Sequence, residues 1–172
     1  MFKINSQNSD KNLKIRLKGI AQQWSKEGWK ENVLKTEPIP TKKGVVEMCA
    51  SVLGIRPWGG HQSEQEIKQL NEQIKVFYSP EESVEGKICK DTFFETDDYD
   101  GAAIEYTHEL IMNADFVLYI SADSELLEKL HTAFMHPIYI PRLGGNNCLP
   151  SCRISEGIVC IDAGQHLIEI LE

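Results

Sequence analysis

Leu13, Ile15 and Leu17 alternate with Lys14, Arg16 and Lys18, and a hydrophobic period of two specifies a strand with one buried face. The period then changes: Val45, Val46, Met48, Cys49, Val52 and Leu53 cover one broad helical face that Gly54 ends. SEQEIKQLNEQ predicts a short helix leading into a strand, IKVFYS. IEYTHELIM and ADFVLYIS predict two further strands with a turn near Asn113. Asp123 or Ser124 caps a second long helix, whose Leu126, Leu127, Leu130 and Phe134 share a face and which stops at Pro137. IYIPRLGG is expected to be a strand entering a glycine-rich loop, and GIVCID and HLIEIL a final strand pair.

Apart from an insertion, the order is strand, helix, strand, strand, helix, strand. That is the split β-α-β pattern of an α+β, ferredoxin-like βαββαβ domain, an architecture shared with RNA-recognition modules. The whole chain, 1–172, is expected to be one such domain with residues 79–104 inserted as an acidic, thumb-like hairpin or loop. Such a fold hosts many functions and by itself assigns none.

Charge is distributed unevenly. The formal net charge is −8, which argues against a general nucleic-acid binder, since these are usually basic. Residues 1–58, however, hold 11 Lys and Arg against 5 Asp and Glu, while residues 79–109 hold 2 against 10. The chain thus has a basic N-terminal third and one acidic segment. No apolar run approaches the ~20 residues of a membrane span. The first residues have no apolar stretch like that of a secretory signal, and the five scattered cysteines read as reduced thiols. The expectation is a cytoplasmic protein without membrane association.

Cations crowd one helix start. In PIPTKKG, Thr41 is placed to cap, and Lys42 and Lys43 stand where free backbone N–H groups and the helix dipole already attract anions. Gly44 would let a phosphate backbone approach. Two solvated lysines beside a capped helix are the plainer alternative. Arg142-Leu143-Gly144-Gly145-Asn146-Asn147 is a second candidate: two glycines that permit positive φ would form an anion-binding nest, and the asparagines would read base edges. An ordinary Gly-Asn turn is the alternative there. The loop lacks the Gly-Lys-Ser/Thr of a nucleotide-hydrolysing P-loop.

Cys148, Cys152, Cys160 and His166 have the wrong spacing for a zinc knuckle, so neither metal nor cofactor is expected. His61 and His108, the latter on one strand face with Tyr106, are the candidates for a general base in metal-independent RNA cleavage. No catalytic motif surrounds them. Trp24, Trp29, Trp58, Tyr99 and Tyr139 are candidates for stacking on unpaired bases.

Taken together, these segments resemble the CRISPR-associated Cas-five family, a RAMP subunit of type I Cascade surveillance complexes, and most of all its type I-E branch. LKIRLKGIAQQW is similar to the family's opening strand and Gly-x-x-Gln-x-Trp, met by Gly19, Gln22 and Trp24. The stretch from Thr36 to Leu53 resembles the family's Thr, Pro-Thr-Lys/Arg-Ser-Gly and following helix, met by Pro40, Thr41, Lys42 and Gly44, with Lys43 in the serine's place. HPIYIPRLGGNNCLPS is similar to the family's Pro-x-Tyr-x-x-x-Leu-Gly-Arg-x-Ser-Cys-Pro loop through Pro137, Tyr139, Leu143, Gly144 and Cys148. The resemblance spans residues 13–155.

It implies a non-enzymatic subunit that binds the 5′ handle of a crRNA through Gln22, Trp24, Thr41, Lys42, Lys43, Gly44, Tyr139, Arg142, Gly144, Gly145, Asn146 and Asn147. It implies packing against a Cas-seven-type backbone subunit and the large subunit, with the thumb laid across the guide. Type I-C relatives cut precursor RNA with a Tyr, a Lys and a His that have no clear counterparts here. A repeat-processing endoribonuclease and an acidic decoy of the same fold are the two alternatives. The chain also departs from the family: Gly144-Gly145-Asn146-Asn147-Cys148-Leu149-Pro150 stands where the family has a basic pair and Cys-Pro, and the thumb is acidic.

Overall fold

The computed structural model describes residues 11–56, 59–97, 101–145, 147–161 and 164–171. Asn146, Trp58 and Tyr99 lie outside them. The first strand, β1 (Lys11–Lys18), buries Leu13, Ile15 and Leu17 completely and turns Lys14, Arg16 and Lys18 to the other face, as its alternation requires. β2 (Ala21–Gln22) and β3 (Val33–Leu34) are brief. Helix α1 (Lys42–Val52) is followed by α2 (His61–Gln73) and β4 (Lys75–Tyr78). Next come β5 (Lys87–Thr96), β6 (Ala103–Met112), β7 (Asp115–Ser121), α3 (Ser124–Met135), β8 (Ser155–Cys160) and β9 (Ile168–Glu169).

The main sheet has the order β8-β1-β7-β4-β9, every neighbour antiparallel. The unit β1-α1-α2-β4 skips one strand, and so does β7-α3-β8. Two interleaved split β-α-β units of this kind make the ferredoxin-like fold. Leu127, Leu130 and Phe134 of α3 and Val45, Val46, Cys49 and Val52 of α1 close over Leu13, Ile15, Leu17, Phe116, Leu118 and Ile120. Asp123 is the residue that caps α3, accepting from the Leu126 N–H at 2.7 Å.

Three expected strands are arranged differently. IYIPRLGG forms no strand: Pro137 and Pro141 bring no N–H to a ladder, and the Ile138 N–H is taken by Val52 O at 3.1 Å, so the segment crosses the end of α1. GIVCID and HLIEIL are not a pair. β8 joins β1 at one edge of the sheet and β9 joins β4 at the other, with Gln165 between them lying over Tyr119, 2.7 Å from its hydroxyl.

A second sheet rises from the first. Asn113, at φ 59°, turns the chain between β6 and β7, and its N–H bonds Ile20 O at 3.0 Å. β6 consequently leaves β7 and pairs β2, β3 and the whole length of β5. The acidic segment and IEYTHELIM together form this hairpin, with Trp29 edge-on to Phe93 and Tyr106 on one face.

Candidate nucleic-acid interface

Thr41 has extended backbone (φ −87°, ψ 150°) and accepts from the Gly44 N–H at 3.2 Å. Pro40 and the cap thus start α1 where the sequence predicted, with no acid in its first turn. Lys42 and Lys43 occupy that turn, and among the described residues neither is in an ion pair. With Lys26 and Lys68 they line a cavity of about 540 Å³ whose wall includes Val46 and Ile67. Four ammonium groups and a positive dipole end face two carboxylates, Glu47 and Glu64, in the same lining, and Lys26 also pairs with Glu37 at 3.9 Å. Lys42 and Lys43 at the helix start are the part of the wall that suits an anion.

A second cavity, of about 610 Å³, lies along α1 and joins Gly44, Met48 and Ser51 to Arg56, Tyr139, Arg142 and Gly144. Arg56 donates Nε to the Tyr139 hydroxyl at 2.7 Å, and its guanidinium stands 5.6 Å from that ring's centre. Glu47 lines both cavities. Burial pushes its carboxyl above the usual range, against the opposing pull of Lys43.

The two candidate loops meet through Trp24. Its indole is buried and donates Nε1 to Gln22 Oε1 at 3.0 Å. Gln22 is itself fully buried and donates Nε2 to Leu17 O and Ala114 O at 2.8 and 3.0 Å. A Cβ on Gly44 would fall 2.7 Å from Trp24 Cε3, and one on Gly144 3.2 Å from the same atom. Both glycines are therefore required for backbone to touch the ring. The Gln23 N–H completes the junction by bonding Leu143 O at 3.0 Å. Gln22 and Trp24 thus position the surface from behind it.

The other candidates sort by exposure. Lys43, Arg142, Gly144 and Asn147 are exposed, Lys42 and Tyr139 half-buried, and Thr41 and Gly145 buried. Of the two loop glycines, Gly144 has positive φ, +82°, whereas Gly145 does not. The Gly145 carbonyl instead accepts from the Cys148 N–H at 3.1 Å, which closes a tight turn. Lys26, Arg56 and Lys68 join the cavities without having been singled out in the sequence. Lys26 and Arg56 each follow a recognised motif by a few residues, whereas Lys68 looks like any solvated helix lysine.

His61 is exposed on the first turn of α2, with Nε2 3.0 Å from Gln65 Nε2. His108 sits on the hairpin, Nε2 2.9 Å from Asp91 Oδ2. Neither lines either cavity. Among the described residues no cluster of His, Cys, Asp or Glu has the arrangement of a metal site, and no helix is long and apolar enough to cross a membrane.

The model of one protein family, described as CRISPR-associated protein (Cas_Cas5), matches residues 12–170. The chain belongs to the Cas5 family. Two solved structures are similar to this Cas5 chain in fold. A structure titled "Crystal structure of Cas protein" superposes with a TM-score of 0.60 at 24% identity, over 88% of this chain and 66% of that one. A chain of a "CRISPR RNA-guided surveillance complex" does so with a TM-score of 0.67 at 18% identity, over 83% of this chain and 61% of that one. The chain therefore spans less than two thirds of the length of either. No curated protein sequence matches it.

Proposed function

We propose that this Cas5 chain is an architectural, non-catalytic subunit of a type I CRISPR effector that holds the 5′ handle of a crRNA across the α1 start and the Arg142 loop. The observation that carries this reading is that one cavity unites Gly44 of the first loop with Tyr139, Arg142 and Gly144 of the second, next to a hollow ringed by Lys26, Lys42, Lys43 and Lys68. Handle phosphates would lie on the lysines and the helix start, and an unpaired base against Tyr139 and the Arg56 guanidinium. Membership of the Cas5 family and the likeness in fold to a chain of an RNA-guided surveillance complex support it. His61 and His108 line neither cavity, which favours a scaffold over a nuclease. A Cas-seven-type backbone subunit and the large subunit are the protein partners this role entails.

The test is assembly of the effector on crRNA with Lys42→Ala and Lys43→Ala combined. Assembly should weaken, and the slope of log affinity against log salt should fall by about 1.4, near 0.7 for each lost phosphate contact on a single strand. Unchanged assembly with an unchanged slope would remove the lysines from the handle site. Recovery of the complex without RNA would replace the scaffold with a decoy.

A further inference from the structure

The hairpin carries an unpaired strand edge. β6 uses one edge for β2 and β3 and the other for β5; among the described residues no strand pairs the outer edge of β5. The Thr107 N–H bonds Asn32 O at 2.9 Å, so Thr107 directs its backbone groups away from its partner Thr92. At the tip the Asp97 N–H bonds Ala102 O at 2.8 Å, an inward pair in the same alternation. Both observations leave the N–H and C=O groups of Ile88, Lys90, Thr92, Phe94 and Thr96 pointing outward. They form an open template for another strand.

Natural edges of this length are blunted with lysine, proline or a bulge. Here Lys87 and Lys90 stand only at the base. From Asp91 to the tip the described ladder carries Asp91, Glu95, Asp97 and Glu105 and no Lys or Arg. Phe94, 66% exposed, sits in that acidic half on the same face as Glu105's side of the pair. An edge with these charges repels phosphates and attracts cations, while its backbone spacing fits an extended polypeptide.

We propose that the outer edge of β5 docks an extended lysine- or arginine-rich segment of a partner protein, which adds to the hairpin as a further strand. The backbone ladder supplies the adhesion; Glu95 on one face, beside the Asp91–His108 pair, and Glu105 on the other select cationic side chains, and Phe94, cross-strand from Glu105, covers an apolar residue. This surface is separate from the two cavities, and the inference stands whether or not they hold RNA.

The experiment is amide hydrogen exchange of the full chain with an octapeptide of alternating lysine and valine. Exchange at Ile88, Lys90, Thr92, Phe94 and Thr96 should slow by about tenfold or more at saturating peptide, as outward amides become ladder donors. A glutamate-valine octapeptide should leave it unchanged. Thr92→Pro removes one outward backbone donor without touching a β5–β6 backbone bond, losing only the Thr92 Oγ1 contact with Thr107 Oγ1 at 3.2 Å, and should abolish the slowing. Glu95→Lys with Glu105→Lys should do the same with the backbone intact, which decides the matter if the proline variant unfolds the hairpin. Equal slowing by both peptides, no slowing by either, or slowing by a uridine oligoribonucleotide would overturn the proposal.

Discussion

At Gly144 a side chain has nowhere to go. A Cβ would fall 1.7 Å from Gln23 O, at a φ of +82° that side chains resist. Gly144→Ala should therefore cost about 2 kcal/mol or more of stability, read as a lower denaturant midpoint. Gly145→Ala should cost clearly less, because the nearest atom to its Cβ, at 2.8 Å, is the flexible Gln23 Oε1. Gln22→Leu would leave the Trp24 indole N–H without its acceptor and take one hydrogen bond from each of Leu17 O and Ala114 O. Each loss of that type costs about 1–3 kcal/mol, and thermal melting should show it. In the sequence these residues read as contact residues. Three distant motifs converging on one indole is invisible there, because burial of Trp24 depends on what backbone passes either face.

Among the elements, β7 shows how a charge is seated in the main sheet. Asp115 begins the strand nearly buried and receives Arg16 Nε at 2.8 Å and Nη2 at 2.7 Å, with Lys18 at 3.4 Å. Hydrogen bonding from Arg16, opposed by burial, holds its carboxyl below the usual carboxylate range. A depressed folded pKa stabilises the native state above the unfolded value, near 3.9, and that contribution disappears as pH falls through the folded value. Wild type should thus lose an increment of stability on acidification below about pH 4. Asp115→Asn should lack that increment and be less stable at pH 7 by roughly 1–3 kcal/mol, as urea titrations at several pH values would measure. The alternation of β1 and the caps of both helices were legible because each depends on neighbours within a few residues. The partner of β6 was not, since Asn113 turns the chain in either case and only the open edge beside Ile20 selects the second sheet.

On the scale of the whole molecule, the chain is a packed sheet-and-helix core with a hairpin projecting from it. Native-state hydrogen exchange should separate the two: amides of Phe116–Ile120 should open only with global unfolding, and those near the β5–β6 tip at far lower free energy. Coincident opening would mean one cooperative unit. The order of periodicities, two, 3.6, two, two, 3.6, two, determined the ferredoxin-like class, because each period dictates which face of an element must be buried. Composition likewise determined where cations and acids reside along the chain. Only the tertiary structure decided that IYIPRLGG crosses the end of α1, that the last two strands part to opposite edges, and that Lys26, Arg56 and Lys68 join the candidate site. Those outcomes rest on contacts between residues far apart in sequence, where packing and the pairing of backbone hydrogen bonds outweigh local preference.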